Sequence, residues 1–277
     1  MAEGHPEAGQ GEVRRLFTAD RDGARWDGFY RPGASGFDAE LFRRRCRYAA
    51  DQVLARVPPD GRLLDLGCGA GPLSALLADA GRTTVAGDLS TDMLRFARTR
   101  LAGSGHWPHP LLQADTQRLP FPDAAFDGVV ALGVISYVPD RGAALAEIHR
   151  ILRPGGLLVI SYRNRWGRLA FDPDRLARHA GHMVRGSARD RADRAERGAG
   201  AFLRPGRIDR LIEAHGFRLD GRHGIGFGPV RFRGRAVLGD RANQRADRVL
   251  APLLGRLDRR GLPLADLQIL IARRIGP

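Results

Sequence analysis

The chain contains no lysine: all 45 basic residues are arginine, set against 31 acidic residues for a formal charge of +14 over 277 residues. A charge of that size would ordinarily suggest a nucleic-acid partner, but the missing lysine weakens the suggestion. A sequence this rich in alanine, glycine and arginine has the composition of a GC-rich genome, in which arginine replaces lysine across a surface whatever the partner. The arginines are spread from Arg14 to Arg274 rather than massed in one block. Only Arg163 to Arg210 is locally enriched, and there Asp190, Arg194 and Arg197 follow helical spacings as on a solvated face, with an anionic substrate, a lipid headgroup or RNA as the other readings. Cysteine is also scarce. Cys46 and Cys68 have neither metal-ligand spacing nor the makings of a disulfide framework, so no metal site is expected and a reducing cytoplasm is. No stretch approaches the roughly 18 apolar residues of a membrane span, and the acidic, polar start Met1 to Gly11 does not read as a signal peptide. The length suits one full core with additions.

The most informative segment is Arg62-Leu-Leu-Asp-Leu-Gly-Cys-Gly-Ala-Gly-Pro-Leu73. Leu63, Leu64 and Leu66 suit a strand buried on both faces. Gly67, Gly69 and Gly71 then remove every side chain that could keep a ligand from the backbone, and Pro72 suits the first turn of a helix whose free N–H groups would face that ligand. A second strand candidate, Thr83 to Gly87, ends at Asp88, about 20 residues past the glycines, where doubly wound folds place an acid for a ribose hydroxyl pair. The dinucleotide pattern is broken, because Pro72 occupies the place of its last glycine. Asp65 would also set negative charge near a pyrophosphate. Both departures favour a cationic, phosphate-free nucleoside.

These residues resemble the class I S-adenosylmethionine-dependent methyltransferases, of the small-molecule, methyltransferase-11-like type. Gly87-Asp-Leu-Ser90 followed by Met93 is similar to the family's ribose motif, and Gln113-Ala-Asp-Thr-Gln-Arg-Leu-Pro-Phe121 to its adenine motif. Phe126-Asp-Gly-Val-Val-Ala-Leu-Gly133 resembles the fourth strand. Glu147-Ile-His-Arg-Ile-Leu-Arg-Pro-Gly-Gly156 and Leu157 to Tyr162 resemble the helix, turn and fifth strand, with His149 structural. The resemblance covers about residues 58–162 in order. It implies an α/β, doubly wound, Rossmann-like seven-stranded sheet with a helical N-terminal cover and lid insertions, and S-adenosyl-L-methionine as cofactor. Gly67, Cys68 and Gly69 would lie against the methionine part, with Asp65 favouring its ammonium end. Asp88 would accept from both ribose hydroxyls. Leu89 and Met93 would pack on the adenine, Asp115 and the Thr116 amide would meet its polar edge, and Leu132 and Gly133 would line the methionine chain with Val134.

Three regions lie outside that shared core. After a disordered start over 1–11, residues 12–57 read as a helical cover, with Trp26, Phe29 and Tyr30 at helical spacing and a longer helix from Phe37 to Val57. Tyr30 either reaches the cofactor carboxylate or is a packing aromatic. Residues 163–203, after the core at 58–162, read as a polar, helical lid insertion. The rest, 204–277, completes the core: Pro205 opens a helix ended by Gly216, Phe217 to Gly224 form a strand, and Leu267 to Ala272 form a last, antiparallel strand. Within it, 225–263 is an insertion whose Val249, Leu250, Leu253, Leu254 and Leu257 make a helical apolar stripe, suited to core packing, a substrate wall or a homodimer face.

Chemically, an activated methyl group needs an aligned nucleophile and exclusion of water. A phenol or alcohol also needs a base, for which His179, His182 and His223 are the candidates. A carboxylate needs only positioning, by Arg163 or Arg165. Leu132-Gly-Val-Ile-Ser-Tyr-Val-Pro139 lacks the Asn/Asp-Pro-Pro-Tyr/Phe pattern used on exocyclic base nitrogens, and neither cysteine is placed for attack on a pyrimidine. The expected acceptor is an oxygen of a small apolar metabolite. The alternatives are an RNA methyltransferase, a porphyrin or other carboxylate methyltransferase, and a cofactor-binding protein without transfer activity.

Overall fold

The computed structural model describes residues 17, 23–31, 33–106, 108–170, 201–228, 231–232, 235–259 and 263–276. The central strands of the sheet carry apolar runs buried on both faces. β1 (Leu63–Leu66) is buried along its whole length. It pairs in parallel with β2 (Thr84–Asp88) on one side and β4 (Phe126–Leu132) on the other. β3 (Leu111–Gln113) extends the β2 side, and β5 (Leu152–Arg163) extends the β4 side. β9 (Leu267–Arg274) then inserts antiparallel between β5 and β6 (Phe217–Ile225). The resulting seven-stranded order is β3-β2-β1-β4-β5-β9-β6. A separate two-stranded hairpin pairs β7 (Arg231–Phe232) with β8 (Arg235–Ala236).

Helices cover both faces, as parallel strands require. On one face, α1 (Ala24–Gly28), α2 (Phe37–Arg56) and α3 (Pro72–Asp79) bring Leu41, Ala49, Val53, Leu73 and Leu77 onto Val130, Val159 and Ile269. On the other, α5 (Arg141–Ile151) and α7 (Pro205–Ala214) bring Leu145, Ile148 and Ile212 onto Leu64, Val129 and Leu158. α4 (Thr91–Gly103) packs Ala97 with Cys68 and Ala86. α4 and α5 start at side-chain caps: Ser90 accepts from the Met93 N–H and Asp140 from the Ala143 N–H. His149 is structural in its surroundings, edge-on to Phe217 with its Nε2 3.3 Å from the Ile275 carbonyl.

Two further helices complete the described elements, the short α6 (Arg165–Ala170) and the 20-residue α8 (Asp240–Arg259). In α8 Asn243 and Asp247 are buried and Leu250 is half-buried, whereas Val249, at the edge of the expected stripe, is 75% exposed. The reason is a polar seat: Asp247 accepts the Phe227 N–H at 2.7 Å and pairs with Arg44 of α2, and Asn243 donates to the Leu238 carbonyl.

The end of β5 is pinned by Asn164, which is wholly buried. Its amide donates to the carbonyls of Pro263 and Ala265 at 2.7 and 2.8 Å and accepts the Trp166 N–H at 3.0 Å. Replacing it by alanine removes the side-chain partner of three backbone groups, of which only the Ala265 carbonyl, in a fully buried bond, has a second donor, Gln268. Urea unfolding of Asn164→Ala is expected to show a loss of about 2 to 3 kcal/mol; a loss within error of zero would mean that these groups find other partners.

Candidate active site

The turn after β1 is left-handed at alternate positions, with φ of +68° at Gly67, +55° at Gly69 and +73° at Gly71. Their tasks differ. A Cβ at Gly67 would strike Val134 at 2.1 Å, and one at Gly71 would press on Ala97 at 3.1 Å, whereas one at Gly69 would meet nothing within 4 Å. Gly69 therefore presents bare backbone to open space, the condition for a ligand to lie against it. That space is a cleft at the carboxyl ends of β1, β2 and β4, where open parallel sheets bind ligands. It holds about 1130 Å³ including its mouth.

The expected cofactor residues converge on this one cleft. Asp65, Gly67, Cys68 and Gly69 line it from the first turn. Asp88, Leu89 and Met93 line it from the end of β2 and the start of α4. Asp115 and Thr116 follow β3, Leu132 and Gly133 end β4, and Tyr30 reaches it from the cover. The histidines fare differently. No described histidine lines the cleft, His223 stacks on Tyr48 of α2 with ring centroids 3.9 Å apart, and His179 and His182 lie outside the described residues. Arg163 is ion-paired with Asp266 at 3.3 Å and sits over the Phe202 ring.

Burial dominates the electrostatics. Asp65 is 3% exposed, accepts the Ser74 hydroxyl at 2.7 Å, and is pushed up to about 7 by burial, with the Ser74 hydrogen bond opposing the shift. Asp88 is also raised by burial, against the N–H groups of Ser90 and Gly69 that donate to its two oxygens at 2.9 Å each. Burial raises the Cys46, Cys68 and Tyr30 groups as well.

Arg45 is the cleft residue that the sequence reading did not single out. It is buried on α2, donates to the Tyr30 hydroxyl at 2.9 Å, lies over the Phe42 ring, and keeps a buried Nε with no partner. Its signal was available: Arg45 stands four residues after Leu41 and four before Ala49, on the apolar face of the helix. Its neighbours Arg43 and Arg44 made it look like part of a solvated run. Phe17, Trp26 and Tyr137 add an aromatic wall, with Phe17 edge-on to Tyr137 at 5.1 Å.

The donors fit S-adenosylmethionine: buried carboxylates for a cationic ammonium and a hydroxyl pair, an underused guanidinium for a carboxylate, and a bare backbone cradle. A doubly wound sheet closed by an antiparallel strand between its fifth and sixth parallel ones, with the cleft at its glycine turn, is the architecture of a class I methyltransferase. Residues 64–160 match the family described as methyltransferase domain, and this segment is a class I S-adenosylmethionine-dependent methyltransferase domain. It is 40% identical over 103 residues to the malonyl-[acyl-carrier protein] O-methyltransferase of Serratia marcescens, a match covering 37% of this chain and 38% of that protein. It is 29% identical over 194 residues to the ubiquinone biosynthesis O-methyltransferase of Xylella fastidiosa, covering 70% of this chain and 75% of that one. Among solved structures, magnesium protoporphyrin IX methyltransferase from Synechocystis, crystallised with bound SAH, superposes with a TM-score of 0.64 at 16% identity over 96% of this chain and 99% of that one.

The raised Asp65 carboxyl has a consequence for the ligand-free protein. In the unfolded chain it ionises near 4, so between about pH 4 and 7 the folded state holds a proton that the unfolded state has released. This contribution favours folding at low pH and is lost as pH rises through about 7. Asp65→Asn removes the burial penalty, so in urea titrations the variant is expected to gain on the wild type from pH 5 to pH 8 by a few kcal/mol at most. A variant that instead loses ground as pH rises would show that the ionised Asp65 is well compensated.

Proposed function

We propose that the chain transfers the methyl group of S-adenosylmethionine to an oxygen of a small apolar metabolite, such as a quinone-like ring. The observation that carries this reading is the composition of the outer cleft, where Phe17, Trp26, Tyr137, Val138 and Pro139 form an apolar wall. Of Arg163 and Arg165, the cations that the sequence offers for a carboxylate acceptor, neither lines the cleft, and Arg163 is ion-paired with Asp266 and lies over Phe202. The Xylella relative is by name an O-methyltransferase of ubiquinone biosynthesis, which agrees with an apolar ring as acceptor.

When bound, S-adenosylmethionine supplies a methyl group already activated by its sulfonium. Asp88 holds the ribose hydroxyls with the lone pairs left free by Gly69 and Ser90. Asp65, once ionised, takes the ammonium. Arg45, which lines the cleft, takes the carboxylate through its guanidinium, and the Tyr30 hydroxyl that it already contacts stands beside it. Leu89 and Met93 grip the adenine face, Asp115 and Thr116 its edge, while Gly67, Cys68, Gly69, Leu132 and Gly133 leave a channel for the methionine chain. Phe17 and Trp26 of the cover exclude water, and alignment of the acceptor carries most of the rate. His179 and His182 are proposed to take the proton of a hydroxyl acceptor.

Calorimetry with S-adenosylmethionine and S-adenosylhomocysteine tests the cofactor half. Asp88→Ala and Arg45→Gln each remove a charged hydrogen-bond partner, and each is expected to weaken binding about 10- to 100-fold. Binding that both variants retain would sink these roles. Release of S-adenosylhomocysteine with a panel of apolar phenols tests the acceptor half. Tight cofactor binding with no turnover on phenols, carboxylic acids or RNA would favour a cofactor-binding protein without transfer activity.

A further inference from the structure

Apolar side chains left in water are unevenly placed on this molecule. Among the described residues, six large hydrophobics are exposed: Leu54, Trp166, Val237, Leu238, Val249 and Ile275. Three of the six belong to α8 and its lead-in. Val249 lies on the helix, and Val237 and Leu238 lead into it. The polar seat of α8 is the cause. Because Asn243 and Asp247 turn inward to meet Leu238, Phe227 and Arg44, Val249, on the opposite side of the helix from Asp247, is turned out of the core.

That side has a basic flank. Arg241, Arg245, Arg248 and Arg256 recur at spacings of four, three and eight residues, which puts them on one side of the helix next to Val249. All four are exposed, and no described acidic residue pairs with them. An exposed apolar edge bordered by arginines is the surface of a helix that lies in a membrane interface. Crossing is excluded for it, since no described helix is long and apolar enough. Position agrees: Asp247 is tied to Phe227 just past the carboxyl end of β6, and Asp240 abuts Gly36 ahead of α2, so α8 sits at the sheet edge on which the cleft opens.

We propose that α8 and its flanking segments form a surface that docks on an anionic lipid bilayer. Charge complementarity selects this occupant. A second copy seated symmetrically would bring the same four arginines against one another, and a nucleic acid would leave Val249, Val237 and Leu238 without an apolar partner. The surface is independent of the acceptor's identity, and its test does not read methyl transfer.

Flotation of the full chain with vesicles decides it. With vesicles of about one third phosphatidylglycerol in phosphatidylcholine at low salt, the wild type is expected to float, and with pure phosphatidylcholine to remain below. Val249→Glu should lower the bound fraction at least about fivefold, and so should the pair Arg241→Gln and Arg245→Gln. Unchanged thermal melting and unchanged S-adenosylmethionine binding would show that these surface variants are folded. Absence of flotation with the anionic vesicles, or flotation indifferent to both sets of substitutions, would overturn the proposal. So would a dimer in sedimentation velocity that Val249→Glu dissolves, or RNA binding lost with the arginine pair while Val249→Glu binds neither less RNA nor fewer vesicles than wild type.

Discussion

The N–H groups of Gly67 and Cys68 both donate to the carbonyl of Gly87, at 2.7 and 3.0 Å. This doubly bonded oxygen fastens the first glycine turn to the end of β2, and the rest of the cleft follows from it. With the turn held there, the Gly69 N–H is within reach of the next residue's carboxylate, and Asp88 accepts it at 2.9 Å. The Gly71 N–H closes on the Cys68 carbonyl at 3.0 Å, which aims α3 and brings Ser74 under Asp65. A side chain at Gly67 or Gly71 would undo the arrangement, one by striking Val134 and the other by striking α4. Only glycine holds positive φ three times in five residues without strain.

The cost of the arrangement is buried charge. Asp65 and Arg45 both face the cleft from within the protein, yet neither has a full complement of partners: Asp65 is raised toward neutrality and Arg45 keeps an idle Nε. Such a site would suit a zwitterion with its ammonium toward Asp65 and its carboxylate toward Arg45, the roles proposed for them above. Burial gives such pairs their strength once formed, because a charged hydrogen bond in a dry pocket is little screened. The apolar wall of Phe17, Trp26 and Tyr137 preserves that dryness.

How far the sequence disclosed this depended on whether a feature was local. The strand, glycine turn and proline of Leu63 to Pro72, and Asp88 at the end of the next strand, are short-range patterns, and the family resemblance that they carry implied the seven-stranded fold and the residues now found at its cleft. Arg45 could not be separated from Arg43 and Arg44 without knowing which face of α2 met Val130 and Ile269. In α8 the period identified a helix but not its rotation. Leucine and valine define an apolar stripe, but Asp247 is drawn inward by Arg44, more than two hundred positions earlier in the chain, and that pairing turns Val249 to the surface. Periodicity records which residues share a face; it does not record which face wins when a polar partner waits below.

Arg100 shows why the cover and the cofactor turn behave as one unit. From α4 its guanidinium donates to the Ala70 carbonyl at 2.8 Å, the Tyr30 carbonyl at 3.1 Å and the Asp27 carboxylate at 2.7 Å. Asp27 is buried in α1, a helix of only 5 residues that could not persist alone. Its remaining support is aromatic: Trp26 and Phe29 each pack against Phe42, with centroids 5.1 and 5.2 Å apart. The cover is thus placed by two anchors, one on α2 and one on the glycine turn itself. A flexible ammonium could meet one of Arg100's three acceptors well, but the planar fork meets three elements at once. Through Arg100 the Ala70 carbonyl beside Gly69 is tied to the residue whose hydroxyl contacts Arg45, so the cover and the glycine turn share one anchor.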